Sequence, residues 1–288
     1  MKIFDNYEKN AIIHVLSKEE EIHSDQCVKP ELDRINSAGL VFRTTLDKLI
    51  LNQEEPKGYW IEILKKFIKK SKPNLTKKFP VGCCYGISKA FLVFIKNAPE
   101  FSFLEEYCAK NGKVKLVWGN IRDEYFQTAV QIGNYIIDVA NDTVDTEMPK
   151  VKISEIGTID FKNFSSLEEF IAVKESYHKT KVIINNIIPE IAEFYPLLSK
   201  TENRIQFIDN PILPYLIMKK NCGVPVLKSK IEEHDIVQIQ SFFHEKLLLG
   251  ISEISDLNEK QTTIQRMVAM FNKKITVNVL CSLNSVFP

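Results

Sequence analysis

Apolar side chains recur every three to four residues over much of the first 75 positions of the chain. This spacing predicts amphipathic helices over Tyr7–Glu21, over Leu40–Leu51 and over Trp60–Ile68. A short segment, Pro56-Lys57-Gly58, separates the last two as a loop. The region 1–75 is therefore predicted to be helical.

The pattern changes character after position 75. Apolar residues at Ile87, Phe91, Phe94 and Ile95 predict one helix that ends near Pro99. The next apolar segments favour three β-strands, at Lys113–Trp118, Tyr125–Ile132 and Tyr135–Val139. Two residues, Gly133-Asn134, join the last two strands and fit a type II′ hairpin turn.

The hairpin turn sets which residues share a face of the predicted sheet. It places Ile132 opposite Tyr135, and by the same register Ala129 opposite Asp138. Because side chains alternate between faces, one face is almost entirely apolar and must be core: Phe126, Thr128, Val130, Ile132, Tyr135, Ile137 and Val139. The other face carries Gln127, Ala129, Gln131, Ile136 and Asp138. Gln127 and Asp138 are then diagonal neighbours, about 7 Å apart at Cβ, which lets a polar side chain at 127 contact the carboxylate.

The C-terminal part returns to a helical pattern. Ser165-Ser166 precedes two glutamates and reads as an N-terminal capping segment. Further helices are predicted over 180–197, 202–220, 229–251 and 256–273. The sequence thus predicts an α+β, helix-rich fold in which a small antiparallel sheet packs on the 87–95 helix, with three regions: 1–75, 76–160 and 161–288.

Charge and cysteine spacing narrow the function classes. The formal net charge is +1, from 38 basic and 37 acidic residues, which argues against a general nucleic-acid binder. The six cysteines lack the spacing of metal ligands, so we expect neither a metal nor another cofactor. The sequence shows no secretory signal and no membrane-spanning run, which favours a cytoplasmic protein, although signal-independent secretion as an effector stays open.

One segment, FPVGCCYGISKAF at 79–91, carries candidate chemistry. A cysteine in the first turn of a helix has its thiolate stabilised by the helix dipole and by free backbone N–H groups, which lowers the thiol pKa. The same N–H groups can stabilise an oxyanion. Taken alone, such a cysteine is more often a buried structural residue.

Two segments together resemble the transglutaminase-like branch of the papain-related cysteine enzymes, notably its bacterial and phage members. The nucleophile motif F-P-x-G-x-C-x-x-x-S is matched by Phe79, Pro80, Gly82, Cys84 and Ser88. The hairpin that follows in the family, with a catalytic histidine on one strand and an aspartate ending the next, is matched by FQTAVQIGNYIIDVANDT at 126–143. The resemblance covers about a quarter of the chain.

This resemblance implies Cys84 as the nucleophile, with Cys83 as the less favoured candidate, and Asp138 as the orienting acid. The histidine position is occupied by Gln127, which cannot accept the thiol proton. Three explanations of the missing histidine are open. The protein is a catalytically silent relative, or a remote histidine completes the site, or the helix dipole alone makes Cys84 reactive. The sequence could also be that of an inactivated variant. The remote candidates are His14, His23, His178, His234 and His244.

Two function classes follow from the resemblance. As an enzyme, the protein would use Cys84 to attack an amide or thioester of a protein or peptide, as a hydrolase, deamidase or acyltransferase. As a binding module, it would hold a protein or peptide partner without turnover, in a defence, counter-defence or effector role. The predicted fold alone does not decide between them.

Overall fold

The computed structural model describes residues 12–50, 79–158, 161–192, 194–201, 204–208, 210, 213, 216, 233–243 and 245–284. The chain divides into two compact units, residues 1–163 and 164–288. Elements are numbered below in chain order among the described residues. The helix predicted over Trp60–Ile68 lies outside them.

Two helices precede the nucleophile-like motif in the first unit. Helix α1 spans Lys18–Cys27 and, after a single 3-10 turn, α2 spans Leu32–Ile50. The helix predicted over Leu40–Leu51 is therefore present and begins eight residues earlier. The helix predicted over Tyr7–Glu21 is wrong over residues 12–17, which are not helical, whereas residues 18–21 belong to α1. The reason is a capping box: Ser17 and Glu20 exchange side-chain hydrogen bonds with each other's backbone N–H, which starts α1 at Lys18.

The predicted helix around Ile87–Ile95 is confirmed as α3, Cys84–Asn97. A 3-10 turn at Pro99–Phe101 and the short helix α4, Phe103–Ala109, lead into the sheet. The α3 helix buries Ile87, Phe91 and Ile95 on its apolar stripe. This stripe is what the three-to-four spacing in the sequence predicted.

A curled antiparallel sheet of five strands, in the order β4-β3-β2-β1-β5, follows. The predicted hairpin is confirmed, with Ile132 opposite Tyr135 and Val130 opposite Ile137. Gly133 has φ +57°, which a type II′ turn requires at its first central residue. The sequence pattern did not predict the two edge strands, β4 and β5. The strands are β1 Val114–Ile121, β2 Tyr125–Ile132, β3 Tyr135–Asp138, β4 Lys152–Glu155 and β5 Phe161–Lys162.

The sheet has a separate apolar cluster on each of its two faces. On the helix face, Val130, Ile137 and Val139 pack against α2 and α3, including Phe42 and Phe91. The opposite face, which carries Gln127, Ala129, Gln131, Ile136 and Asp138, is called the arm face here, because residues 12–16 (the arm) lie against it. Its cluster consists of Ile13, Val117, Ile121, Ala129, Ile136 and Phe161.

The second unit begins with the capped helix that the sequence predicted. Helix α5 spans Leu167–His178, and its N-cap Ser166 accepts a hydrogen bond from the Glu169 N–H. The helices predicted over 180–197 and 202–220 are wrong for most of their described residues, of which only Pro189–Ala192, Leu213 and Leu216 are helical. A three-stranded antiparallel sheet occupies this stretch, formed by β6 Lys181–Ile184, β7 Leu197–Thr201 and β8 Arg204–Phe207, with the four-residue helix α6 at Pro189–Ala192.

Three helices complete the second unit: α7 Glu233–Phe242, α8 Glu245–Glu253 and α9 Leu257–Asn284. They overlap the helices predicted over 229–251 and 256–273. The whole described chain is thus a mixture of helices and antiparallel sheet, as the α+β prediction states. None of the described helices is both long enough and apolar enough to cross a membrane.

Candidate functional site

Cys84 is the first residue of α3. It follows a loop that is hydrogen-bonded to the turn after β3. Gly82, with φ +73°, donates its backbone N–H to the carbonyl of Thr143 at 3.1 Å. A residue with a Cβ would be strained at this positive φ, which explains the glycine of the motif. The loop therefore places the start of α3 beside the 3-10 turn Asn141–Thr143 that follows β3.

The Cys84 thiol has a described hydrogen bond with a residue of β2. Its Sγ donates to Oγ1 of Thr128 at 3.9 Å, the upper limit for a sulfur donor. One turn further along α3, Ser88 Oγ donates to the Thr128 carbonyl at 2.6 Å. The Cys-x-x-x-Ser pair of the motif thus contacts a single residue of the sheet. Sequence reasoning did not single out Thr128, which carries a hydroxyl on an otherwise largely apolar face.

The environment of Cys84 opposes its ionisation. Burial raises the pKa of the Cys84 thiol above its usual value, the Asp138 carboxylate raises it further, and the hydrogen bonds with Thr128 lower it only in part. Burial likewise raises the pKa of the Cys83 thiol, which donates to the Val81 carbonyl at 3.6 Å. Both thiols are therefore protonated at neutral pH. The helix N-terminus alone predicts the opposite direction, and the raised pKa of Cys84 follows from burial, which disfavours the charged thiolate.

Gln127 and Asp138 contact each other, as their diagonal positions on the hairpin allow. Gln127 Nε2 donates to Asp138 Oδ2 at 2.9 Å and to the Ala140 carbonyl at 2.8 Å. Its Oε1 lies 3.4 Å from Thr143 Oγ1, whose single proton is donated to the Ala140 carbonyl at 2.7 Å. Both amide protons of this buried side chain are therefore engaged. The position that the resemblance assigns to a catalytic base holds a structural crosslink between β2, β3 and the turn after β3.

Asp138 is a buried carboxylate on the arm face of the sheet. Burial raises its pKa to about 6, with a contribution in the same direction from Asp142, while bonds from Gln127 and from the Ala140 N–H lower it. The Ala140 N–H donates to Oδ1 at 2.9 Å. Asp138 also lines a pocket with Arg122, Lys152 and Ser154 at the apolar residues Ile121, Ile136 and Phe161.

Arg43, on α2, fixes the turn that carries these partners. Its guanidinium donates to both carboxylate oxygens of Asp142, at 2.7 and 3.0 Å, and to the Val139 carbonyl at 2.6 Å. It also pairs with Asp47 one helical turn away. Sequence analysis missed Arg43, because an arginine inside a helical pattern reads as a solvated residue unless its distant partner is known.

The described histidines have partners other than Cys84. His14 Nε2 contacts the Glu20 carboxylate at 3.2 Å, and His23 stacks on Tyr107 with ring centroids 5.0 Å apart. His178 belongs to the second unit and contacts Tyr177. The side chains of His234 and His244 lie outside the described residues. Among the hydrogen bonds described, none joins a histidine to the Cys84 sulfur.

Within the same described residues, no group of three or more histidine, cysteine, aspartate or glutamate side chains is arranged to hold a metal ion. Comparisons of the chain with protein-family models, with curated proteins and with solved structures find no match. The resemblance to transglutaminase-like enzymes therefore rests on the motif residues alone.

Proposed function

We propose that the protein is a catalytically silent relative of the transglutaminase-like enzymes, which binds a protein or peptide without turning it over. The observation that carries this proposal is the engagement of both Gln127 amide protons, by the Asp138 carboxylate and by the Ala140 carbonyl. A residue locked in this way neither accepts the thiol proton nor moves to do so. The orienting aspartate of the family here supports an amide instead of an imidazole.

The state of Cys84 supports the same conclusion. Nucleophilic catalysis needs a thiolate, or a base that creates one as the thiol attacks. The raised pKa of Cys84 keeps the thiol neutral, and its neighbour Thr128 offers a hydroxyl, which is not a base at neutral pH. Neither route to a nucleophile is supplied by the described residues.

The test is labelling of the full chain by iodoacetamide between pH 6 and 10, with each cysteine followed by mass spectrometry. We expect Cys84 to react slowly at pH 7 and to gain reactivity only above pH 9. Cys108, which is exposed, serves as the internal reference within the same chain, and Cys84→Ala confirms the assignment. Selective labelling of Cys84 near pH 7 would overturn the silent assignment.

The variant Gln127→His tests whether a histidine at this position is enough to make the site catalytic. Thr128 contacts Cys84 from the helix face, whereas position 127 points to the arm face of the same strand. We therefore expect Gln127→His to leave the labelling rate of Cys84 unchanged within about twofold. A rate increase that shifts to lower pH, together with hydrolysis of a glutamine-containing peptide, would show that the geometry tolerates catalysis.

The alternative function is that of an active cysteine hydrolase or acyltransferase on an amide or thioester. One observation favours it: Cys84 begins a helix of 14 residues and lies near enough to Asp138 for the carboxylate to affect its pKa. The Cys84→Ala variant separates the two functions. Loss of any amide or thioester cleavage in this variant supports the enzyme, and retained partner binding supports the module.

A further inference from the structure

The backbone of the arm is bound through side-chain amides rather than through a neighbouring strand. Asn163 accepts from the Ile13 N–H at 2.8 Å and donates to the Ile13 carbonyl at 3.0 Å. Gln131 does the same for His14, at 2.9 and 2.7 Å. Lys115 Nζ donates to the Ile12 carbonyl at 2.6 Å. Each amide thus offers one residue the acceptor and the donor that a paired β-strand would offer.

These bonds do not depend on which side chains the arm carries. Five hydrogen bonds are made to peptide groups, and any extended residue other than proline presents the same N–H and carbonyl pair at Ile13 or His14. Side-chain selection falls on the buried residues of the arm. Ile12 and Ile13 are each 6% exposed and Leu16 is 8% exposed, and Ile13 enters the apolar cluster of Val117, Ala129 and Phe161. The small side chain of Ala129 leaves room for it. Val15, in contrast, is 72% exposed.

Proteins recognise extended peptides by hydrogen bonds to the peptide backbone together with pockets for side chains. We infer that the arm face is a peptide-binding groove, that the arm occupies it in cis, and that an extended peptide with an aliphatic side chain at the place of Ile13 binds there in exchange for the arm. This groove would be the partner site of the binding module proposed above, and the inference rests on that proposed function only in taking binding to be the function.

Tethering explains why the arm fills the groove in the isolated chain. A segment joined directly to α1 is present at an effective concentration on the order of millimolar. A free peptide must compete with that concentration, so a groove with micromolar intrinsic affinity appears closed by a factor of about a thousand. The arm therefore has to be released before binding in trans is measured.

The experiment uses the full chain with a site-specific protease sequence inserted between Leu16 and Ser17, so that Ser17 still caps α1. The chain folds intact, is then cut, and is separated from the released N-terminal fragment. The probe is a fluorescent peptide of residues 8–17, EKNAIIHVLS. We expect the cut chain to bind the probe at least a hundredfold more tightly than the uncut chain.

Three altered probes test the mode of recognition. N-methylation of the His14 amide removes the donor to Gln131 and should weaken binding at least tenfold. Ile13→Asp in the probe should weaken binding by a similar or larger factor, whereas Val15→Asp, the matched control at an exposed position, should change it less than threefold. A peptide with threonine at every position except Ile12, Ile13 and Leu16, the buried residues of the arm, should bind within about tenfold of the original.

The protein variant Gln131→Leu in the cut chain should bind the original probe at least tenfold more weakly, with an unchanged circular dichroism spectrum as the check on folding. A cut chain that unfolds, that keeps its arm without exchange over hours, or that ignores the threonine-substituted peptide would show the arm to be a fixed structural segment and overturn the inference. Labelling of Cys84 is a separate measurement. Failure of the peptide-binding experiment therefore leaves the assignment of a silent site intact, and selective labelling of Cys84 leaves the peptide-binding groove intact.

Discussion

Arg43 has no exposed side-chain surface and yet carries a full charge. Removing a guanidinium from water is costly, and the cost is offset here by the bidentate pair with Asp142 and by bonds to Val139 and Asp47. These interactions raise the pKa of Arg43, although burial acts in the opposite direction. The charge pair holds the turn that in turn holds Gln127, so its effect extends to the candidate site.

We expect Arg43→Met to reduce the free energy of unfolding of the first unit by about 3–5 kcal/mol, because it leaves Asp142 buried without its cation. The measurement is urea denaturation followed by circular dichroism. The double variant Arg43→Met, Asp142→Asn should recover at least half of the loss, since the unpaired charge is gone. A single variant as stable as the native chain would mean that the pair contributes no net stability.

The hairpin β2–β3 is the element on which the site depends, and Gly133 is its critical residue. The φ of +57° disfavours any residue with a Cβ, and a Cβ at this position would lie 2.2 Å from Ser24 Oγ and 2.7 Å from the Tyr107 hydroxyl. The Ser24 hydroxyl cannot simply turn away, because it accepts a hydrogen bond from the Asn134 N–H at 2.9 Å. Helix α1 therefore packs directly on the hairpin turn.

Gly133→Ala should consequently lower the free energy of unfolding by more than the roughly 1–2 kcal/mol that positive φ alone costs an alanine. The matched control is Gly157→Ala, which has φ +85° but no atom within 4 Å of the added Cβ. The difference between the two variants in urea denaturation measures the crowding against α1. Equal losses would indicate that α1 gives way without cost.

Sequence patterns predicted elements whose residues are close along the chain and failed where the structure depends on distant contacts. The hairpin register follows from two turn residues and from the alternation of side chains along the strands. The contact between Gln127 and Asp138 could therefore be predicted from the sequence. The strand β6 could not be predicted in the same way, because Val182, Ile183 and Ile184 form a run of only three apolar residues, which fits a buried helix as well as a strand. Its identity is set by pairing with β7, fifteen residues later.

The candidate site shows the same division. The position of Cys84 at the start of α3 was predictable from the spacing of apolar residues after Gly82. Its contact with Thr128 depends on how α3 packs on β2, and the Arg43–Asp142 pair joins residues 99 positions apart. The pKa of Cys84 likewise follows from burial by that packing, which the helix position does not reveal.

At the scale of the whole molecule, buried ionisable groups make stability depend on pH. The free energy of unfolding falls with rising pH wherever the folded chain binds more protons than the unfolded chain. Asp138 is such a group, because its pKa in the folded chain is about 6 and its ordinary value is 3.8. Between these two values the folded chain retains a proton that the unfolded chain has lost.

We therefore expect the contribution of Asp138 to fall by roughly 3 kcal/mol as pH rises from about 4 to 6, at about 1.4 kcal/mol per pH unit, and to stay level above that range. Urea denaturation at several pH values measures it, with Asp138→Asn as the variant that cannot titrate. Because the chain has two units, unfolding of the first is followed by fluorescence of Trp118, which stacks on Phe126 in the sheet, in a Trp60→Phe background. The native chain minus the Asp138→Asn variant should show the fall, since other titrating groups cancel in the difference. A flat difference would place the pKa of Asp138 near its ordinary value, and a rise with pH would mean that the bonds from Gln127 and Ala140 outweigh burial.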